Sequence, residues 1–158
     1  MIRILVISDT HDVVPEGLVE RWKSANEIWH LGDVCDPRTL VEIELLEKPL
    51  TVVAGNCDSW PGWPVSRRME RGGFTFHLEH IPRRLPARGV DAMLHGHLHV
   101  PRDEVDPLGV RWLNPGCISE AHRGAPASFA WLTIPEDGTH FVIPAAAQHR
   151  ITRAGRIN

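Results

Sequence analysis

Three short apolar runs in the first third of the chain each stop abruptly on a polar group able to bind a cation. Ile2–Ile7 stops on Ser8-Asp9-Thr10-His11, the run 27–31 on Gly32-Asp33, and the run 50–54 on Gly55-Asn56-Cys57-Asp58. Runs this short and rich in β-branched residues read as buried strands. Between them, Leu18, Val19, Trp22 and Ala25 fall on one stripe of a predicted helix over 15–25, with Pro15 near its first turn. Asp36-Pro37 reads as an N-cap with proline at the first helical position, opening a second helix carried by 40–46. Strand, helix, strand, helix, strand predicts a parallel sheet with covering helices. In such sheets ligands gather at the carboxyl ends of the strands, so the three polar groups are expected to share one crevice.

The second half changes character. Phe74–Glu79 and 90–94 read as strands, each running into a histidine. Beyond Val100 two turn signals, Asp106-Pro107-Leu108-Gly109 and Pro135-Glu136-Asp137-Gly138, predict hairpins, the second between strands at 129–134 and 140–143. The fold class expected is α/β: a four-layer α/β/β/α sandwich of two facing mixed sheets flanked by helices. No repeat or linker divides the 158 residues, so one domain is expected, with 145–158 as a loose tail or a late edge element.

Composition narrows the function. The net charge of −3 argues against a broad grip on nucleic acid, and no stable nucleic-acid complex is expected. No apolar run approaches the ~18 residues of a membrane span, and no signal peptide is read at the start, so neither membrane nor export is expected. The three cysteines, Cys35, Cys57 and Cys117, lack the even count and spacing of a disulfide framework, which points to a reducing, cytoplasmic setting. Ten histidines are present, and five of them (His77, His80, His95, His97, His99) fall in one short stretch. Histidine is the commonest metal ligand.

Asp9 and His11 follow the first strand, Asp33 the second, Asn56 and Asp58 the third, His80 the fourth, and His97 with His99 the fifth. Converging aspartates repel unless a cation sits among them. Mixed carboxylate, amide and imidazole donors suit Mn²⁺, Fe, Zn²⁺ or Co²⁺ rather than Ca²⁺. There are too many donors for one ion, so two ions sharing a bridging carboxylate are expected. Strand alternation puts Phe74, Phe76, Leu78 and His80 on one face and Thr75, His77 and Glu79 on the other. His80 therefore ends the buried face, and His77 is expected to face water. Asp58 reads as a loop support, His95 as a buried or supporting histidine, and Cys57 as a small packing residue. Trp60 and Trp63 either close the core edge or line the pocket.

These motifs, together with Gly96-His97-Leu98-His99 and Asn114-Pro115-Gly116, run in an order that resembles the calcineurin-like metallophosphoesterases. The resemblance is closest to their small bacterial and archaeal phosphodiesterase branch, to which the retromer scaffold subunit Vps29 is also similar. It implies that Asp9, His11 and His99 hold one metal, Asn56, His80 and His97 a second, and Asp33 both. It implies catalytic roles for Asp33, Asn56 and His97, and places Asp58, His95 and Cys57 behind them. The implied activity is hydrolysis of phosphodiester bonds by a hydroxide held between two divalent ions, Mn²⁺ foremost, with Fe, Zn²⁺, Co²⁺ or Ni²⁺ as alternatives. The implied substrate is a small phosphodiester or nucleotide-like molecule, and the resemblance leaves a homodimer or higher homo-oligomer open. The chain departs from the family at two places: His80 is followed by Ile81-Pro82 where relatives usually have His-Gly-His, and Asp12 stands where they usually have glycine. Larger relatives carry a histidine after the asparagine to protonate the leaving group, where this chain has Cys57. The alternative reading is a catalytically weak, Vps29-like scaffold that keeps the metal pocket and binds a protein partner.

Overall fold

β1 (Ile2–Ile7) lies at the centre of the first of two five-stranded sheets. It pairs in parallel with β2 (Glu27–His30), which pairs in parallel with β3 (Leu50–Val52). On its other side it pairs antiparallel with β9 (Ala127–Ile134), with Ile4 opposite Leu132, and β10 (His149–Ile151) follows β9 at the edge. A computed structural model describes residues 1–120, 124–138 and 140–141, and the backbone of 149–151.

The second sheet runs β4 (Ser66–Arg71), β5 (Phe74–Glu79), β6 (Ala92–Leu94), β8 (Arg111–Asn114), β7 (Arg102–Val105). β5, β6 and β8 are mutually parallel, while β4 and β7 close the edges as antiparallel hairpins. The β7–β8 turn is held by Asp106 Oδ1, which accepts from the backbone N–H groups of Leu108 (2.8 Å) and Val110 (3.0 Å).

The sheets face each other across a core of Ile4, Val6, Trp29 and Leu31 from the first, and Phe76, Leu78, Leu94 and Leu113 from the second. The outer face of the first sheet, with Leu5, Ile7 and Ile28, is covered by Leu18, Trp22, Leu40 and Ile43. The expected mixed-sheet sandwich is therefore present, but its helices are short. Helix α1 is Val19–Trp22, and a 3₁₀ turn at Pro37–Leu40 runs into α2, Val41–Glu44. The stripe predicted over 15–25 does bury Leu18, Trp22 and Ala25. Only one turn of it is helical, because Gly17 (φ +78°) bars helix before it and Asn26 must already pair with Arg3. Asp36 caps the 3₁₀ turn, accepting from Arg38 N at 2.9 Å.

Segment 66–71, for which the sequence predicts no element, is an edge strand, because the Gly72-Gly73 turn folds it onto β5 with Arg68 opposite His77. Two further expectations need correction. His140 and Phe141 are not in a strand: Phe141 instead sets its ring against Phe74 and Phe76, and 142–143 lie outside the described residues. His77 does not face water. Its side chain is only 12% exposed, because the 81–91 loop crosses that face and Arg83 reaches back to Glu79 and His77. Of the tail, 149–151 form β10 and the remainder lies outside the described residues.

Candidate metal centre

All the strands that end in polar motifs run in one direction within their sheets, so their carboxyl ends open on the same edge of the sandwich. After β1 the chain turns sharply: Asp9, His11 and Asp12 have φ of +56°, +42° and +66°. Asp33 and Cys35 after β2, and His97 and His99 after β6, are likewise left-handed, between +57° and +74°. Such conformations cost roughly 1 kcal/mol or more and cluster where structure serves a site. Aspartate and histidine bear them more easily than most residues, which suits Asp12 to a place where a glycine would serve. The turned loops lace together through backbone pairs: Asp9 N–H to Gly32 O and His11 N–H to Asp33 O, both 3.0 Å.

Asp9 is fully buried, and Asp33 and His80 are nearly so. His99 Nε2 lies 3.0 Å from Asp9 Oδ1, and His11 Nε2 lies 3.7 Å from both Asp9 Oδ1 and Asp33 Oδ2. His80 Nε2 is 3.3 Å from Asp33 Oδ2 and 3.9 Å from Asp9 Oδ1. Asn56 and His97 sit exposed at the rim, joined by a 3.0 Å contact between His97 Nδ1 and Asn56 Oδ1, with the His97 ring 5.2 Å from that of His80. Donor atoms of the predicted ligands converge in two groups, Asp9 with His11 and His99, and Asp9 with Asp33 and His80. Five of the seven sequence-predicted ligands are thus brought together, while Asn56 and His97 lie beside them at the rim and belong to neither group.

Two atoms test whether the pocket fits cations. Asp9 Oδ1 and His80 Nε2 are buried and make no properly aligned hydrogen bond among the described residues. His80 Nδ1 donates to Leu31 O at 2.7 Å, so its proton is committed there and Nε2 presents a lone pair toward two carboxylates. That arrangement is repulsive unless a positive charge, a proton or a metal ion, lies between. Without metal the proton serves. Burial opposes charge on His80, yet the carboxylates of Asp33 and Asp9 beside it raise its pKa. Burial also works against ionised Asp33, but the adjacent His80 and the hydrogen bond from Cys57 N–H hold its carboxyl well below the usual range. The donor set fits divalent ions of the imidazole- and carboxylate-binding kind.

Behind the donors, the structure separates the supporting residues. Asp58 accepts from the backbone N–H groups of Asp33 (2.9 Å), Cys35 (2.7 Å) and Gly55 (2.7 Å). Cys57 is exposed, and its backbone N–H donates to Asp33 Oδ1 at 2.9 Å. His95 points away from the pocket, toward Arg102 and the Trp112 ring, and burial lowers its pKa to about 4. It bears on the site only through the loop whose Gly96 O it contacts at 3.1 Å. Trp60 and Trp63 line a groove of about 450 Å³ with Leu40, Lys48 and Arg67, which no candidate ligand borders. A second groove, of about 400 Å³, does border Asn56 and His80, and Val65, Ser66, Ile81 and Arg83 form its walls.

Several contributors escape a sequence reading. Buried His30 accepts from Gly32 N–H at Nδ1 (3.1 Å) and so donates from Nε2 to Thr10 Oγ1 (3.1 Å), tying the first two loops; burial lowers its pKa to about 3. Ser8 donates to Asp9 Oδ2 at 2.6 Å, and Asn114 Nδ2 donates to Gly96 O at 3.0 Å. Cys35 Sγ lies 3.7 Å from His11 Nδ1. Only Ser8 and Asn114 stood inside a quoted motif, and Cys35 carried no local signal.

Comparison with known proteins gives three findings. The family model described as a calcineurin-like phosphoesterase superfamily domain matches residues 2–137. A probable metallophosphoesterase from Methanothermobacter thermautotrophicus (strain Delta H) is 34% identical over 131 residues, 70% of this chain and 74% of the relative. Among solved structures, wild-type Vps29 complexed with Zn²⁺ from Entamoeba histolytica superposes with TM-score 0.80 at 22% identity, covering 99% of this chain and 96% of that one. Yfce, a phosphoesterase from E. coli, gives TM-score 0.75 at 22% identity, with the same coverage.

Proposed function

Because this chain belongs to the calcineurin-like phosphoesterase superfamily, we propose that it is a divalent-metal-dependent phosphodiesterase with a two-ion site. The observation that carries the reading is the pair of buried atoms Asp9 Oδ1 and His80 Nε2, which face each other's neighbours in one polar cluster without an aligned hydrogen bond among the described residues. Asp9, His11 and His99 would hold one ion, Asn56, His80 and His97 the other, and Asp33 would touch both. Mn²⁺ is the foremost choice. When bound, the ions lower the pKa of water toward neutrality and neutralise charge on the phosphoryl group.

The remaining chemistry belongs to side chains. Asp33, held ionised, would offer its negative charge to both ions. Asn56 and His97, exposed at the rim, meet the phosphoryl oxygens as substrate enters. The groove beside Asn56 and His80 exposes apolar surface of Val65 and Ile81, which favours an ester carrying an organic group on the phosphate. A small phosphodiester or nucleotide-like molecule fits that description. No helix among the described residues is long and apolar enough to cross a membrane.

The test is hydrolysis of bis-p-nitrophenyl phosphate by metal-stripped protein with and without Mn²⁺, beside Asp33→Asn. Mn²⁺-dependent turnover that Asp33→Asn removes supports the proposal. A folded, Mn²⁺-binding protein with no turnover above that variant overturns it in favour of the scaffold reading.

A further inference from the structure

Next to the pocket, and sharing only His11 with the ligand set assigned above, lies a group with different chemistry. His11, Cys35 and Cys57 each bring one donor atom to within 4.8 Å of the other two. The two thiols come from different loops, after β2 and after β3, and neither is in a disulfide. Cys57 is exposed and Cys35 half-buried, so a solute reaches them without unfolding.

The spacing is informative. A tetrahedral ion with Zn–S of ~2.3 Å and Zn–N of ~2.0–2.1 Å holds its sulfur and nitrogen ligands roughly 3.6 Å apart. Cys35 Sγ and His11 Nδ1 are 3.7 Å apart. Cys35 is fixed there by its left-handed backbone (φ +74°) and by its N–H bond to Asp58 Oδ1. The carboxylates of Asp33 and Asp58 place negative charge beside both sulfurs, as a cation site requires.

We propose that His11 Nδ1, Cys35 Sγ and Cys57 Sγ form a binding site for a thiophilic divalent cation of the Zn²⁺ class. Binding makes two metal–sulfur bonds and one metal–nitrogen bond, releases two thiol protons to solvent, and leaves the fourth position to water. Soft sulfur donors separate this site from its neighbour, where Mn²⁺ and other oxygen-seeking ions are favoured. The two sites share one imidazole: Nε2 of His11 faces Asp9 and Nδ1 faces Cys35. Occupation of the thiol site therefore alters a ligand of the other. The proposal does not depend on phosphodiesterase activity.

The experiment titrates reduced, metal-free protein with Cd²⁺ and follows sulfur-to-metal charge-transfer absorption in the ultraviolet, which nitrogen and oxygen ligands do not produce. The expected result is a band saturating at one equivalent, weakened in Cys35→Ser and in Cys57→Ser and lost in C35S/C57S. Absence of the band in the wild type overturns the proposal, as does a band that survives in the double variant C35S/C57S. A second measurement needs no variant: alkylation of Cys57 by iodoacetamide, mapped by peptide mass, should be slowed by Zn²⁺ and not by Mn²⁺. Equal protection by Mn²⁺ overturns the assignment.

Discussion

Asp58 Oδ2 accepts the backbone N–H of Asp33 at 2.9 Å, so the residue proposed to touch both ions is positioned from behind by another carboxylate. The same side chain also accepts from Cys35 and Gly55, tying the loops after β2 and β3 into one unit. Asp58→Ala leaves three N–H groups without their acceptor. The expected cost is about 1–3 kcal/mol of stability, read by chemical denaturation. Affinity for Mn²⁺ should fall roughly 10- to 100-fold by titration calorimetry. Unchanged Mn²⁺ affinity would show that Asp58 supports the loops without setting Asp33.

Gly55 has a comparable role through the absence of a side chain. A Cβ there would stand 2.1 Å from Asp33 Oδ1 and 2.4 Å from the Asp33 backbone nitrogen, which cannot move aside without breaking the loop. Gly55→Ala should cost at least ~2 kcal/mol and abolish Mn²⁺ binding. Gly73→Ala provides the contrast. Its Cβ meets nothing within 4 Å, and only its φ of +84° resists, for a cost of about 1 kcal/mol with Mn²⁺ affinity intact.

Acid should loosen the metal-free protein. His95 is held neutral by burial with a pKa of about 4, whereas in the unfolded chain it takes up its proton near 6.5. Between those values the unfolded state binds more protons, so stability present above pH 6.5 is lost as pH falls toward 4. His30, with a pKa of about 3, acts with the same sign and to lower pH. Urea unfolding across this range should show a falling midpoint. His95→Gln should remove as much as ~1.4 kcal/mol per pH unit from the slope. An identical slope in that variant would mean that other groups carry the acid sensitivity.

Where larger relatives place a histidine after the asparagine, this chain places Cys57, whose pKa is raised by burial and by the charge of Asp33. Under the proposed activity, with no dedicated acid at that position, the leaving group would depart largely unprotonated. Aryl esters with acidic leaving groups should be cleaved at least ~100-fold faster than alkyl esters, the scale of a missing general acid. A leaving-group series measured under saturating Mn²⁺ checks this, and a flat dependence would count against it.

The strand ends were legible because β-branched runs that stop on Asp9, Asp33 and Asn56 carry both a burial pattern and its interruption in a few adjacent residues. His80 was separable from His77 for a similar local reason, since alternation along β5 assigns the two to opposite faces. Exposure was not legible. His77 is covered by the 81–91 loop, and nothing adjacent to it in sequence announces that cover. Helix length was misread because apolar spacing marks which residues are buried, and Leu18, Trp22 and Ala25 are buried whether or not the chain between them is helical. β4 was missed because its pairing depends on the Gly72-Gly73 turn and on β5, while its own residues are mostly charged.

The sequence by itself determined which candidate donors stand at the strand ends and in what order, because each is set beside the strand that carries it. It also determined the sandwich, because two patterns of strand spacing imply two sheets. Only the tertiary structure decided what those donors meet. The contact of Asn56 with His97, the hold of Asp58 on Asp33, and the approach of Cys35 to His11 each join residues on separate loops. Such contacts depend on how neighbouring strands align and where their loops turn left-handed, and those choices are made by the packed core as a whole rather than by any local run of residues.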